Sequence, residues 1–270
     1  YRWQRKRRGT ATRGLAPTRL VHFLENHDQI ANSGLGWRCS RMASPSRLRA
    51  LTTVLLLGRQ LPMLFMGQEF GASTPFRYFA DHEPKLAALV DQGRRREVSQ
   101  FPSLALPEMQ QRITRPHDPS TFEECRLDWS EREANAHVVA LHRDLARLRR
   151  EDPCFSGRVH APLDGAVLGD DAFVLRWLAE DERDRLLVVN LGRTLHYDPA
   201  PEPLLAPPAG MRWRSAWSSE DPRYQGRGTP PLDAAEEHPK VPSRPDVDRP
   251  LENWRIVAEC AVVLVPEPAP

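Results

Sequence analysis

The residues best suited to chemistry stand together in Val21-His22-Phe23-Leu24-Glu25-Asn26-His27-Asp28-Gln29. A short apolar run with β-branched and aromatic members ends in a dense polar cluster, which predicts a buried strand over 20–25 with polar side chains at its C-terminal tip. A (β/α) barrel carries its reactive groups at that end of its strands. The His27-Asp28 pair would offer an imidazole and a carboxylate to a substrate; the alternative use of such residues is to cap a turn.

The elements that must position this cluster follow in order. Ala31-Asn32-Ser33-Gly34-Leu35-Gly36 has the composition of a loop lining a pocket. A helix is predicted over about 45–57, because Ser44 can cap it, Pro45 suits its first position and Leu48, Leu51 and Leu55 recur on one face. A second buried strand over 60–67 ends at Gly67, and Gln68 and Glu69 form its polar tip. Strand, polar tip, helix, strand is a βαβ unit, which requires parallel strands and a crossover. Residues 70–127 lack a clear period and read as a functional loop or small inserted element. Ser130-Glu131-Arg132-Glu133 has the form of a capping box, and Ala134, Val138, Leu141, Leu145 and Leu148 mark a helix that Asp152-Pro153 ends at about 150.

Beyond Cys154 the period changes from helical to alternating. Phe173, Leu175 and Trp177 share one face of a strand, Asp181 to Arg183 form a turn, and Leu186 to Leu191 return as the partner. Met211 to Trp217 and Trp254 to Val265 supply further strands, and Glu220 to Arg249 reads as a long surface loop. The reading gives an α/β part over 1–152 and an antiparallel β-sandwich domain over 153–270.

Composition narrows the function. The 270 residues carry 38 basic and 36 acidic side chains, so no global field gathers nucleic acid or an anionic membrane. Lys occurs at 6, 85 and 240 alone, and the excess of Arg is read as coding bias; the run Arg2, Arg5, Lys6, Arg7, Arg8 is read as a solvated loop. Cys39, Cys125, Cys154 and Cys260 lie far apart with no metal-ligand spacing, so neither a metal nor an organic cofactor is expected. No window approaches the roughly 18 apolar residues of a membrane helix. The chain opens at Tyr1, so a missing secretory leader says nothing of compartment.

Phe23-Leu24-Glu25-Asn26-His27-Asp28-Gln29 resembles the motif that ends the seventh barrel strand of α-amylase-type glycoside hydrolases. Two longer stretches, Leu64 to His82 and Thr121 to Trp129, with Gly93-Arg94-Arg95-Arg96-Glu97 between them, resemble the malto-oligosyltrehalose trehalohydrolases within that superfamily. The resemblance covers roughly residues 15 to 150. It implies a cytoplasmic retaining hydrolase that cuts the α-1,4 bond next to the terminal trehalose of a maltooligosyl trehalose. The fold it implies is the C-terminal part of a (β/α)8 TIM barrel, its last two strands and helices, followed by the β domain. The nucleophilic Asp and acid/base Glu would end earlier strands and precede Tyr1, which leaves Asp28 as the catalytic carboxylate of this chain. His27 would hydrogen-bond the same sugar, Asn26 and Gln29 would orient the pair or touch a neighbouring subsite, and Phe70, Phe76 and Tyr78 would stack on the trehalose end. Gly67-Gln68-Glu69-Phe70 also suits glycogen branching enzymes, so a branching or debranching enzyme stays open, as does a non-catalytic carbohydrate-binding remnant. A partial barrel alone is expected to fold poorly or associate, and to be inactive.

Overall fold

The structure, a computed structural model, describes residues 11–12, 14–180, 183–197, 200–230, 232 and 254–269. The opening basic run, most of the 181–183 turn and residues 233–249 of the anticipated surface loop lie outside these.

Strand β1 (Val21–His22) pairs in parallel with β2 (Leu61–Pro62), as the βαβ pattern requires. Both are far shorter than the anticipated 20–25 and 60–67. Neither is buried, with Val21 54% and Leu61 49% exposed. Two parallel strands carry too few ladder bonds and neighbours to enclose their own apolar faces. Between them lie α1 (His27–Asn32), α2 (Cys39–Met42) and α3 (Pro45–Leu57). Helix α3 has the anticipated bounds, and Ser44 caps it by accepting from the Arg47 N–H at 3.2 Å. Its far end is held by Arg149, which donates to the carbonyls of Leu56, Gly58 and Gln60. Those last carbonyls lack partners within the helix, and a guanidinium suits them in both geometry and charge.

The segment anticipated as loop is largely helical. It contains α4 (Pro84–Val98), α5 (Pro107–Arg112) and α6 (Pro119–Glu123), each with Pro in its first turn. Helix α4 is mostly exposed, burying Ala87, Arg94 and Val98, so it leaves no apolar stripe in the sequence. The anticipated helix over 130–150 is broken into α7 (Glu131–Ala134) and α8 (Ala136–Glu151) at Asn135. Asn135 gives its side-chain N–H to Phe70 O at 3.0 Å. The capping box does not form, because Ser130 bonds Asp128 Oδ1 through both its amide and its hydroxyl. Asp152 ends α8 and caps α9 (Pro153–Ser156).

The remaining strands are β3 (Leu163–Gly169), β4 (Ala172–Trp177), β5 (Arg185–Asn190), β6 (Leu195–Tyr197), β7 (Met211–Ser218), β8 (Trp254–Ile256) and β9 (Cys260–Pro268). Five form an antiparallel sheet in the order β3-β4-β5-β9-β7, and β6 pairs with β8. The sheet is covered on both faces by different materials. Trp177, Leu187, Val189 and Val263 pack with Leu57, Leu141 and Leu145 of α3 and α8. Leu186, Val188, Val262 and Leu264, pointing the other way, pack with Trp213, Trp254 and Ile256. The five-stranded sheet therefore has the small sheet at one face and helices at the other. This explains the unbroken apolar runs of β5 and β9, since a strand covered on both sides has no polar alternation. Glu220 and Tyr224, anticipated within a surface loop, are instead buried, while Pro222 and Arg223 between them stay exposed.

A buried ion pair fastens α3 to that segment: Arg49 Nη2 lies 2.5 Å from Glu220 Oε1, and Arg49 Nε donates to Ser219 O at 2.9 Å. Breaking one partner leaves a buried charge without compensation. Glu220→Leu is expected to cost roughly 3–5 kcal/mol, read by urea unfolding, whereas Arg49→Met combined with Glu220→Leu is expected to cost less than the two singles summed. Burial also holds the His142 imidazole below its ordinary range, with Val138 O and Glu69 opposing. A group that binds its proton more weakly when folded contributes fully above the unfolded pKa of about 6.5 and loses that contribution as pH falls through it. Melting temperature is therefore expected to drop from about pH 7.5 to about pH 5.5, with a shallower slope in His142→Leu.

Candidate functional site

The polar cluster is placed on a helix, not on a strand tip. After β1 the chain bends at Leu24 and reaches Asn26, whose Oδ1 accepts the Gln29 N–H at 2.9 Å and starts α1. His27 and Asp28 thus open the first turn, where a carboxylate meets the positive end of the helix dipole. Their Nε2 and Oδ1 are 3.5 Å apart, and the side chains are 66% and 73% exposed. Ile30 and Ala31, one turn further along, are buried and anchor the helix.

Three buried groups set the position of α1. Glu25 accepts the Cys39 N–H at 2.6 Å and lies 3.8 Å from Arg38 Nη1. Arg38 donates to Met66 O and Thr74 O at 2.8 and 2.7 Å, drawing the turn after β2 beneath the cluster. Its burial lowers the guanidinium pKa, and the charge of Glu25 opposes that. From α4, Arg94 donates to Ala31 O at 2.9 Å and Asn32 Oδ1 at 2.5 Å, and its guanidinium stands 5.1 Å over the ring of Tyr78. Burial, and then Glu25, push the Cys39 thiol up to about 12. It stays protonated near neutral pH and is no nucleophile.

These contacts produce a cleft of about 290 Å³ lined by His27, Asp28, Phe76, Tyr78, Phe79 and Arg94, among others. Phe76 also packs edge-to-face on Phe65 and Phe79, with centroids 5.0 and 5.7 Å away. The lining includes a second carboxylate, Glu97, but it is tied to Arg94 at 3.1 Å. The cleft thus offers a solvent-facing carboxylate and imidazole beside aromatic rings, a combination that hydrogen-bonds hydroxyls and covers an apolar ring face.

Of the residues singled out in the sequence, the fold gathers Asp28, His27 and Tyr78, with Phe76. Asn26 has its side-chain oxygen engaged in capping. Gln29 is exposed and does not line the cleft. Phe70 is completely buried, with Trp129 at 5.5 Å, so its ring has no face for a ligand. It fills the turn that follows Gly67, whose φ of 85° an L side chain rarely adopts. Glu25, Arg38 and Arg94 received no role from the sequence. Arg94 meets its partners across more than sixty residues, and nothing in an Arg-rich sequence marks one guanidinium as buried.

In fold the chain is similar to a candidate alpha amylase of Salmonella typhimurium, with a TM-score of 0.65 and 24% identity over 96% of this chain and 37% of that one. Residues 162–235 match a family model described as a domain of unknown function, DUF3459. The chain is similar in sequence to malto-oligosyltrehalose trehalohydrolases. That of Deinococcus radiodurans is 35% identical over 188 residues, 69% of this chain and 30% of the relative. That of Arthrobacter ramosus is 41% identical over 140 residues, 50% of this chain and 23% of the relative. The chain therefore matches less than a third of the length of these relatives. Among the described residues no helix is long and apolar enough to cross a membrane.

The cap that starts α1 can be tested apart from any activity. Asn26→Ala is expected to destabilise by about 1 kcal/mol and to speed amide exchange at Gln29, whereas Asn26→Asp, which keeps an acceptor, should leave exchange near its original rate.

Proposed function

We propose that this chain is the C-terminal part of a retaining α-amylase-type glycoside hydrolase that acts on maltooligosyl trehalose, cutting the α-1,4 bond next to the terminal trehalose and releasing trehalose. The observation that carries the reading is the convergence of Asp28, His27 and Tyr78 on one open cleft, in a chain similar to trehalohydrolases over 69% of its length.

In this reading residues 1–152 supply the last two strands and helices of a (β/α)8 barrel, and residues 153–270 its accompanying β domain. The parallel pair β1 and β2 supports it. So does the exposure of Val21 and Leu61, which neighbouring parallel strands would cover. The cleft lies beyond the C-terminal end of β1, on the face where such a barrel works.

Cleavage passes through an oxocarbenium-like transition state, and hydrogen bonds to ring hydroxyls strengthen as it forms. Asp28 accepts such bonds and opposes the developing positive charge, while His27 donates to the same sugar. Tyr78 and Phe76 offer ring faces to the trehalose end. A retaining hydrolase needs two carboxyl groups about 5–5.5 Å apart, one as nucleophile and one as acid and then base. In this reading that pair is carried by earlier strands that precede Tyr1, as the resemblance implies, and these residues alone bind and stabilise but do not cleave.

The test uses the protein extended by the sequence preceding Tyr1 in its reading frame, beside the present chain. The extended protein is expected to free trehalose from maltooligosyl trehalose, and the present chain to free none. Asp28→Asn in the extended protein should lower kcat by roughly 10²–10³. New branch points or linear glucan in place of trehalose would overturn the substrate, and unchanged turnover in Asp28→Asn would overturn the site.

A further inference from the structure

Apart from the His27–Asp28 cleft, the structure holds a small, partly open cavity of about 70 Å³ where α3, α8, the turn at Gln68–Phe70 and Tyr224 meet. Leu48, Val138 and Leu141 give it apolar walls. Two polar atoms of its lining, Gln68 Nε2 and His142 Nε2, are buried without a hydrogen-bond partner among the described residues. Both residues are more than nine-tenths buried, at 8% exposure each.

The two atoms are chemically complementary. Gln68 Oε1 accepts the Phe65 N–H at 3.4 Å, which fixes the amide and leaves Nε2 as a donor with nothing to donate to. His142 Nδ1 stands 2.9 Å from Val138 O. A carbonyl can only accept, so Nδ1 carries the proton and Nε2 of the neutral ring presents a lone pair. Burial favours that neutral ring. The nearby hydroxyls are engaged elsewhere, Thr52 Oγ1 donating to Leu48 O and Tyr224 Oη to Asp144 Oδ2. A buried donor and a buried acceptor facing one small space, and not bonded to each other, call for a group that does both.

We infer that this cavity is an internal hydration site, in which water accepts from Gln68 Nε2 and donates to His142 Nε2. Each water needs on the order of 10–15 Å³ of such space, so a few fit and a sugar ring does not. The water ties the turn after β2 to α8. That turn leads directly into Phe76 and Tyr78, the aromatic wall of the cleft, so the site supports the wall without touching a substrate.

Crystals of the protein extended by the sequence preceding Tyr1 in its reading frame provide the test, one set untreated and one pressurised with xenon, together with nuclear Overhauser measurements between water and the His142 ring in solution. The expected result is density within hydrogen-bond distance of both Gln68 Nε2 and His142 Nε2, no xenon in the cavity, and a water cross-peak to the ring. A cavity without density that takes up xenon, or a direct bond between Gln68 and His142, would overturn the inference.

Discussion

The hydrophobic core shared by α3, α8 and the five-stranded sheet is the constraint on which the rest of the molecule depends. Leu57, Leu145, Leu187 and Val263 are almost wholly removed from water in one cluster, and each such side chain contributes roughly 1.5–3 kcal/mol by burial. Neither helix could hold its position against the two short strands β1 and β2 alone, because those strands bury little. The sheet thus holds the helices, and the helices hold the loops that carry the candidate site.

Polar clips convert that packing into definite loop positions. Arg38, Arg49, Arg94 and Arg176 are all buried, and each donates to a carbonyl or carboxylate on a distant segment. The planar guanidinium, with five donors and a permanent charge, spans two acceptors at once in a way that an ammonium does not. A second network closes the other side of α8: Asp144 accepts from Tyr224 Oη at 2.8 Å, and Tyr224 Oη accepts from Trp217 Nε1 at 3.2 Å. Burial and the bond to Asp144 push the Tyr224 phenol up to about 12, so this network keeps its protons across the ordinary pH range. The cleft is left with the complementary pattern, buried Glu25, Arg38 and Arg94 below and exposed His27 and Asp28 at the rim.

Where local signals were strong, the sequence and the structure agree. Ser44 and Pro45 start α3 where anticipated, because cap and first-turn proline act within a few positions of one another. The helix nevertheless gives Ala50, Leu56 and Leu57 to the shared core and not the stripe of Leu48, Leu51 and Leu55. The alternating residues of β4 also fall as read, Phe173, Leu175 and Trp177 toward the helices. Where the signal came from a single motif, it misled. Ser130 and Glu133 have the spacing of a capping box, yet Asp128 lies close enough to take both hydrogen bonds of Ser130 first. Phe70 looked like a sugar platform by type alone, and only its packing against Trp129 removes it from the site.

By itself, then, the sequence determined the βαβ order, α3, the alternating strands and the motif that joins His27 to Asp28, since each depends on neighbours in the chain. Tertiary structure alone decided that Tyr78 and Phe76 come to this pair while Phe70 and Gln29 do not, and that Arg94 clamps the arrangement. The reason is physical: burial and pairing across sixty or more residues are properties of the packed chain, and no local pattern encodes which of many arginines will be enclosed.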